Sequence, residues 1–146
     1  MRAHCKRLCL VAALSASGLA CAQQWFALAG PDTEATGTLV EVDLDSVRSR
    51  GQVGEAIIRV SHDALRQHAT GFGFRSFVAS AQFDCQRRSV TLISAAYFAL
   101  PRGDGPRVGA DSSGRHAGMP ESLLRSMPMT ALQALLKATC ATTQTP

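Results

Sequence analysis

Histidine and carboxylate side chains are the residues of this sequence that could hold a metal ion. His62, Asp63 and His68 lie close together in a polar stretch, and His116 follows in a Gly-rich segment. A zinc site needs three or four such ligands that converge on one point. The spacing of these residues matches no metal-binding motif and favours solvated surface histidines. We therefore expect no metal site and no cofactor.

Two carboxylates and the serine residues are the candidates for hydrolase chemistry. Asp43 and Asp45 are two residues apart, which places both on one face of a strand, as a glycosidase pair would require. Asp45 and Ser46 are more typical of turn residues whose side chains bond nearby backbone amides. The chain also lacks the Gly-x-Ser-x-Gly pattern of serine hydrolases. We expect no catalytic residues.

The tripeptide Arg102-Gly103-Asp104 is a candidate binding motif. It carries a guanidinium group and a carboxylate two residues apart, an arrangement that integrin-type receptors bind when it lies on an exposed turn. The surrounding segment is rich in Gly and Pro, which also fits a solvated hairpin without any receptor. Arg102, Gly103 and Asp104 therefore form a candidate binding loop, with coincidence as the alternative.

Residues 1–22 have the character of a leader that is removed from the folded protein. They combine a basic start, an apolar run over 8–14 and the sequence Ala20-Cys21-Ala22, which is typical of a signal peptide cleaved after residue 22. A lasting transmembrane helix needs about 20 apolar residues, and no segment of the chain reaches that length. The sequence predicts an exported protein, periplasmic or associated with the outer surface, with one domain over 23–146.

Lipidation of Cys21 is the alternative to simple cleavage. Ala20 supplies the small residue that precedes a lipidated cysteine, but Gly18 stands where lipoprotein signals have leucine. Acylation would tether the domain to a membrane surface, whereas simple cleavage would leave it soluble or released.

The cysteines that remain after removal of the leader are Cys85 and Cys140. Disulfides form and persist in exported proteins. We therefore predict that these two residues are bonded and close a loop of about 55 residues.

The charge of the exported chain argues against a nucleic-acid partner. The leader carries three basic residues and no acidic one, so the formal net charge falls from +4 to +1 without it. The basic residues left behind are scattered along the chain and form no stripe.

The elements that would position these residues are short strands separated by turn residues. Strand Phe74 to Cys85 has one apolar face, which carries Phe77, Ala79, Ala81, Phe83 and Cys85. Strand Ser89 to Leu100 is expected to direct Val90, Leu92, Ala96 and Phe98 inward. Segment 45–51 is predicted to be a turn, and 101–120 a flexible surface loop with a short edge strand near 107–110. The other predicted strands cover 25–29, 37–44, where Val40, Val42 and Leu44 form the apolar face, and 52–61.

The chain ends in a predicted amphipathic helix. Thr130 and Gln133 form a capping box after Pro128, and the apolar stripe that follows ends beside Cys140. A sheet and a helix with one apolar face each are expected to pack together. The predicted fold class is α+β: an antiparallel sheet of five to six strands with a C-terminal helix on one face, tied by the disulfide. The stripe consists of Leu132, Leu135, Leu136 and Thr139.

A set of short segments occurs in a recognisable order along the chain. They are Trp25, Val42-Asp43-Leu44-Asp45-Ser46-Val47 with Gly51, Phe83-Asp84-Cys85, Tyr97-Phe98, Pro128, Leu132, Leu135-Leu136 and Cys140. Together they resemble the surface-adhesin protein E family of proteobacterial envelope proteins, although the second tryptophan of many members is missing. The resemblance implies the fold described above and an envelope binding role, with host extracellular-matrix or serum proteins as ligands in the best-known member.

Two functions of different class are open at this point. The first is a non-catalytic, adhesin-like module in which the sheet face or edge away from the helix contacts a protein partner. The second is a small periplasmic enzyme or inhibitor on the same scaffold, and a structural envelope protein is a plainer variant. A binding module should lose function gradually when single polar side chains are removed. An enzyme should have one whose removal abolishes activity without unfolding the chain.

Overall fold

The computed structural model describes residues 23–29, 37–112, 125 and 127–141 of the 146-residue chain. The predicted leader with Cys21, and the second part of the predicted loop with His116, lie outside the described residues. The described part forms a seven-stranded antiparallel sheet and a C-terminal helix, which confirms the predicted fold class. No described helix combines the length and the apolar character needed to cross a bilayer.

The sheet is a meander in which most neighbours in sequence are also neighbours in space. The elements are β1 (Trp25–Ala29), β2 (Thr38–Asp43), β3 (Arg48–Arg50), β4 (Val53–Gln67), β5 (Gly73–Asp84), β6 (Ser89–Phe98), β7 (Arg107–Ser112) and helix α1 (Met129–Ala141). The main strand order is β1-β2-β4-β5-β6-β7, and the short β3 pairs with the start of β4. Short links between consecutive strands favour this antiparallel arrangement.

Two segments predicted as turn or loop are more regular than expected. The predicted turn over 45–51 consists of a 3-10 turn at Leu44–Ser46 followed by β3. Leu44, expected on the apolar face of its strand, lies in that turn and is 47% exposed. The loop predicted from residue 101 begins with a 3-10 turn at Pro101–Gly103 and continues as β7, which confirms the expected edge strand.

The residues predicted to point inward from β6 are correct before Ile93 and wrong after it. Ala95 and Tyr97 are buried in place of Ala96 and Phe98. The register with β5 shifts at this point and leaves Ile93 as an extra residue. Such a β-bulge reverses the alternation of side chains in the rest of the strand.

One face of the sheet packs against α1 and is called the covered face below. Leu135 of α1 is 1% exposed, and a Cβ atom at Gly54 would lie 2.8 Å from the Thr139 Cβ. The predicted disulfide between Cys85 and Cys140 is confirmed, with Cα atoms 5.5 Å apart. The helix is therefore held by apolar packing, by close backbone approach and by a covalent bond. The strands contribute Val40, Val42, Ala56, Ile58, Val60, Phe77, Ala79, Ala81, Phe83, Leu92 and Tyr97 to the core.

The start of α1 differs from the predicted capping box. The Leu132 N–H donates to the Pro128 carbonyl oxygen, so Pro128 occupies the N-cap position that was expected for Thr130. The predicted apolar stripe does face the sheet, because Leu135 and Thr139 are buried. The helix therefore begins two residues earlier than predicted, whereas the face that packs on the sheet is the predicted one.

Candidate functional site

The sheet face opposite α1, called the open face below, presents an apolar strip to solvent. Residues directly opposite each other on adjacent strands share a face. Arg59 pairs with Val78, Val78 with Ala96, and Ala96 with Ala110. Val78 and Ala96 are half-buried and Ala110 is exposed. The row runs from β4 to β7. The Pro101–Gly103 turn packs over its Arg59 and Val78 end, where a Cβ atom at Gly103 would lie 3.5 Å from Val78 Cγ2, and α1 lies on the other face.

Two shallow depressions lie side by side on the open face. Each has a volume of about 420 Å³, and Ile57 and Ser80 line both. Ile93, which is 39% exposed, and Arg48 border the first depression, and Arg107 borders the second. Glu55 also lines the first depression and Asp111 the second. An open floor of small and apolar residues with charged residues of both signs around it suits contact with a protein surface, whereas small-molecule sites are usually enclosed.

An ion pair forms the part of the open face nearest β1. Arg59 donates to the two carboxylate oxygens of Glu41 over 2.8 and 2.9 Å, and its guanidinium carbon lies 4.1 Å from the ring centre of Trp25. The side chains of Arg59 and Glu41 are only 13% and 10% exposed. A bidentate pair of this kind fixes the geometry of both side chains. Arg59 therefore serves the fold and has little capacity left for a ligand.

The Arg102-Gly103-Asp104 motif lies on a turn that is anchored to the open face. The Arg102 N–H donates to Ser61 Oγ over 2.8 Å, and the Gly103 N–H donates to Ser76 Oγ over 2.9 Å. Arg102 and Asp104 are exposed. The turn thus offers both charged side chains to solvent from a fixed backbone, and receptor binding by it stays a prediction.

Of the two carboxylates considered for catalysis, that of Asp43 has structural partners, whereas Asp45 is exposed and contributes its backbone N–H. Asp43 is 4% exposed, and its carboxylate accepts hydrogen bonds from the Asp45 N–H over 3.1 Å and from the Gln23 side-chain amide over 3.3 Å. The Ser46 hydroxyl donates to the Asp43 carbonyl oxygen and accepts the Ile57 N–H. These bonds fasten the 3-10 turn to β4.

The expectation that His62 is a solvated surface residue is wrong. Its side chain lies in the covered face, 2% exposed, with Nδ1 3.3 Å from Thr38 Oγ1 and with the Phe74 ring against its edge. Burial lowers the pKa of His62 from 6.5 to about 4; the positive charge of Arg66 adds to this effect and the negative charge of Asp63 opposes it. His62 is therefore a neutral core residue near pH 7.

The same expectation is wrong for His68, whose side chain is 8% exposed. The His68 ring stacks on Phe72 at 4.4 Å, and Nδ1 accepts the Thr70 N–H, so Nε2 carries the proton donated to Asp111 over 2.9 Å. Tyr97 donates to the same carboxylate oxygen. Burial raises the pKa of Tyr97, as do the hydrogen bond to Asp111 and its charge. This network was missed because Asp111 lies 43 residues from His68 and no local pattern connects them.

Metal binding gains no support from these histidines. Within the part of the chain that the structure describes, no three His, Cys, Asp or Glu side chains converge as ligands.

Most of the chain matches the model of a known protein family. The family model for surface-adhesin protein E matches residues 25–141. The chain belongs to this family. It is therefore an adhesin-like exported surface protein, and the resemblance found in the sequence is confirmed. Comparison with curated protein sequences found no match.

Solved structures of Haemophilus influenzae protein E are similar to this chain. Its crystal form II is 17% identical with a TM-score of 0.49, and the match covers 82% of this chain and 99% of that one. The selenomethionine form of the same protein is 17% identical with a TM-score of 0.47, and the match covers 80% of this chain and 95% of that one.

Proposed function

We propose that this protein is a non-catalytic adhesin that, after removal of residues 1–22, binds a host extracellular-matrix or serum protein through its open face. The observation that carries the proposal is the apolar strip on that face. Ile57 and Val78 are half-buried and Ile93 is exposed, although the described core lies entirely on the other side of the sheet. Membership of a surface-adhesin family supports a binding role.

The open face has the composition expected of a protein interface. Apolar side chains at its centre would lose contact with water when a ligand covers them, which supplies the driving force. Arg48 and Arg107 at the border can pair with acidic groups of a ligand, and the serines of the floor can form hydrogen bonds. Interfaces of this kind depend on a few central residues surrounded by a polar rim.

The test is a binding measurement with the chain over 23–146. The chain is immobilised and exposed to a basement-membrane extract and to fractionated plasma proteins by biolayer interferometry. Ser80→Arg places a large charged side chain in both depressions at an exposed position, so it should weaken binding at least tenfold while the chain stays folded. Leu65→Arg, at a residue that is 60% exposed near the end of β4 and outside both depressions, is the matched control.

The outcomes separate an adhesin from other envelope proteins. Binding that is lost in Ser80→Arg and kept in Leu65→Arg supports the open face as the site. Wild-type protein that binds neither preparation contradicts the adhesin function. Equal binding by wild type and Ser80→Arg would show that the binding site lies outside the open face.

A further inference from the structure

A small pocket lies where the open face meets the Pro101–Gly103 turn. Its volume is about 170 Å³, and its lining includes Ser61, Asp63, Arg75 and Arg102. A water molecule takes about 30 Å³ in the liquid, so the pocket has room for a carboxylate-sized group together with a few water molecules. It is separate from the two depressions described above.

Arg75 lines this pocket and has a donor without an acceptor. One of its Nη atoms donates to the Asp63 carbonyl oxygen, whereas its Nε is buried and has no hydrogen-bond partner among the described residues. A buried N–H of a charged group that lacks an acceptor is costly, because its lost hydration is not replaced. The planar guanidinium group matches the two oxygens of a carboxylate. An oxyanion in the pocket would pair with the positive charge of this group.

Arg102 is held at the rim of the pocket in a conformation that arginine rarely adopts. Its φ is 61° and its ψ is 22°, a left-handed conformation that is unfavourable for an L-residue. Its N–H is bonded to Ser61, its carbonyl oxygen accepts from Arg59 over 2.9 Å, and the next N–H is bonded to Ser76. These bonds hold the turn in its left-handed conformation and fix the position of the Arg102 backbone at the rim.

Asp63, the acidic residue of the pocket, forms no ion pair with either arginine in the described part of the chain. None of the ion pairs among the described residues joins Asp63 to Arg75 or to Arg102. Two guanidinium groups therefore face the pocket against one carboxylate. The excess positive charge favours an anion.

We propose that this pocket is a carboxylate-binding subsite at the end of the open face, and that it takes an acidic side chain or the C-terminal carboxylate of a protein ligand. Arg75 and Arg102 would both pair with the carboxylate, Arg102 from the rim. The identification of the carboxylate as part of a protein ligand rests on the proposed function. The ability of the pocket to bind a carboxylate does not depend on it.

The test follows the arginine Nε–H resonances of the ¹⁵N-labelled chain by NMR during titration with sodium acetate at low ionic strength. The Arg75 resonance should shift to saturation with millimolar affinity, while sodium chloride at the same concentration should give no saturating shift. Arg102→Gly should weaken acetate binding at least fivefold without unfolding, because glycine adopts positive φ freely. Arg88→Gly is the matched control, since Arg88 also has a positive φ, of 52°, but lies in the β5–β6 turn.

Each outcome decides the proposal. A saturable shift that is weakened in Arg102→Gly and unchanged in Arg88→Gly supports it, and so does tighter binding of a peptide with a free C-terminal carboxylate than of its amide. A shift that grows linearly with acetate, or equal weakening in both variants, overturns it. Sulfate binding at least tenfold tighter than acetate overturns the assignment to carboxylate. Acetate binding together with no binding of matrix or plasma proteins leaves the subsite standing and contradicts the proposed function.

Discussion

The two faces of the sheet are built from alternating residues of the same strands, yet their side chains have different environments. Ile58 is 0% exposed on the covered face, whereas its neighbour Ile57 is half-buried and lines both depressions of the open face. The residue type is the same, so the contrast comes from position alone. When the core lies on one side of a sheet, residues on the other side can be replaced with little loss of stability. This separation suits a family of binding proteins.

One polar network of the covered face contrasts with one donor of the open face, although Ser49 Oγ, opposite Gly54 on the covered face, is also buried without a hydrogen-bond partner among the described residues. On the covered face Asp111 accepts hydrogen bonds from Tyr97 and His68, so its carboxylate is occupied within the chain. At the end of the open face Arg75 keeps a buried donor without an acceptor. Satisfied polar networks stabilise a unique core, whereas Arg75, with its unused donor, lines the pocket proposed above as a carboxylate subsite.

The largest expected effect on the covered face follows loss of the disulfide. Replacing Cys85 and Cys140 together by serine should lower the free energy of unfolding by about 4 kcal/mol, because the bond closes a loop of 55 residues in the unfolded chain. Urea denaturation of the variant and of the oxidised wild type measures the difference. The double variant avoids the free thiol that a single substitution would leave. A difference below about 1 kcal/mol would show that packing of α1 alone holds the covered face together.

Much of this covered face could be predicted from the sequence, because it depends on local periodicity. The alternation in β5 and the apolar stripe of α1 each identify one face, and both faces end at a cysteine. The bulge at Ile93 could not be predicted, since inserting one residue into a strand leaves no mark in an alternating pattern of small residues. The strand Arg48–Arg50 was missed for a related reason: its pairing with β4 has no apolar signature.

The second prediction compares Ile58 with Ile57. Ile58→Ala should lower the free energy of unfolding by about 3 kcal/mol, since it leaves a cavity in a closely packed core. Ile57→Ala should lower it by less than about 1 kcal/mol, because solvent and neighbours can fill the space, but it should weaken ligand binding measurably. Urea denaturation and the interferometry assay on both variants give the two readouts. Equal losses of stability would mean that the open face is covered in solution.

The candidate site was harder to predict than the fold, because its residues are distant in sequence. The sequence singled out Arg102, and the structure adds Arg75 and Ser61, which reach the same pocket from β5 and β4. No spacing rule connects three such positions. His62 was misassigned because a polar neighbourhood in the sequence, with Asp63 beside it, does not show which side of a strand the ring occupies.

The smallest of the three effects is the response of the covered face to acid through His62. Its pKa is about 4 in the folded protein, against 6.5 for the unperturbed residue. Between these values the unfolded chain binds a proton that the folded chain does not, so this contribution to stability is complete above pH 6.5 and decreases as the pH falls toward 4. At pH 5 the loss should be about 2 kcal/mol. Urea denaturation at pH 7.5 and pH 5.0 should show this loss in the wild type and a loss smaller by that amount in His62→Gln.

Should the variant fail to fold, NMR titration of the His62 imidazole in the wild type gives the pKa directly. A pKa near 6.5 would show that the His62 ring is in contact with water. The covered face would then not exclude solvent from this histidine.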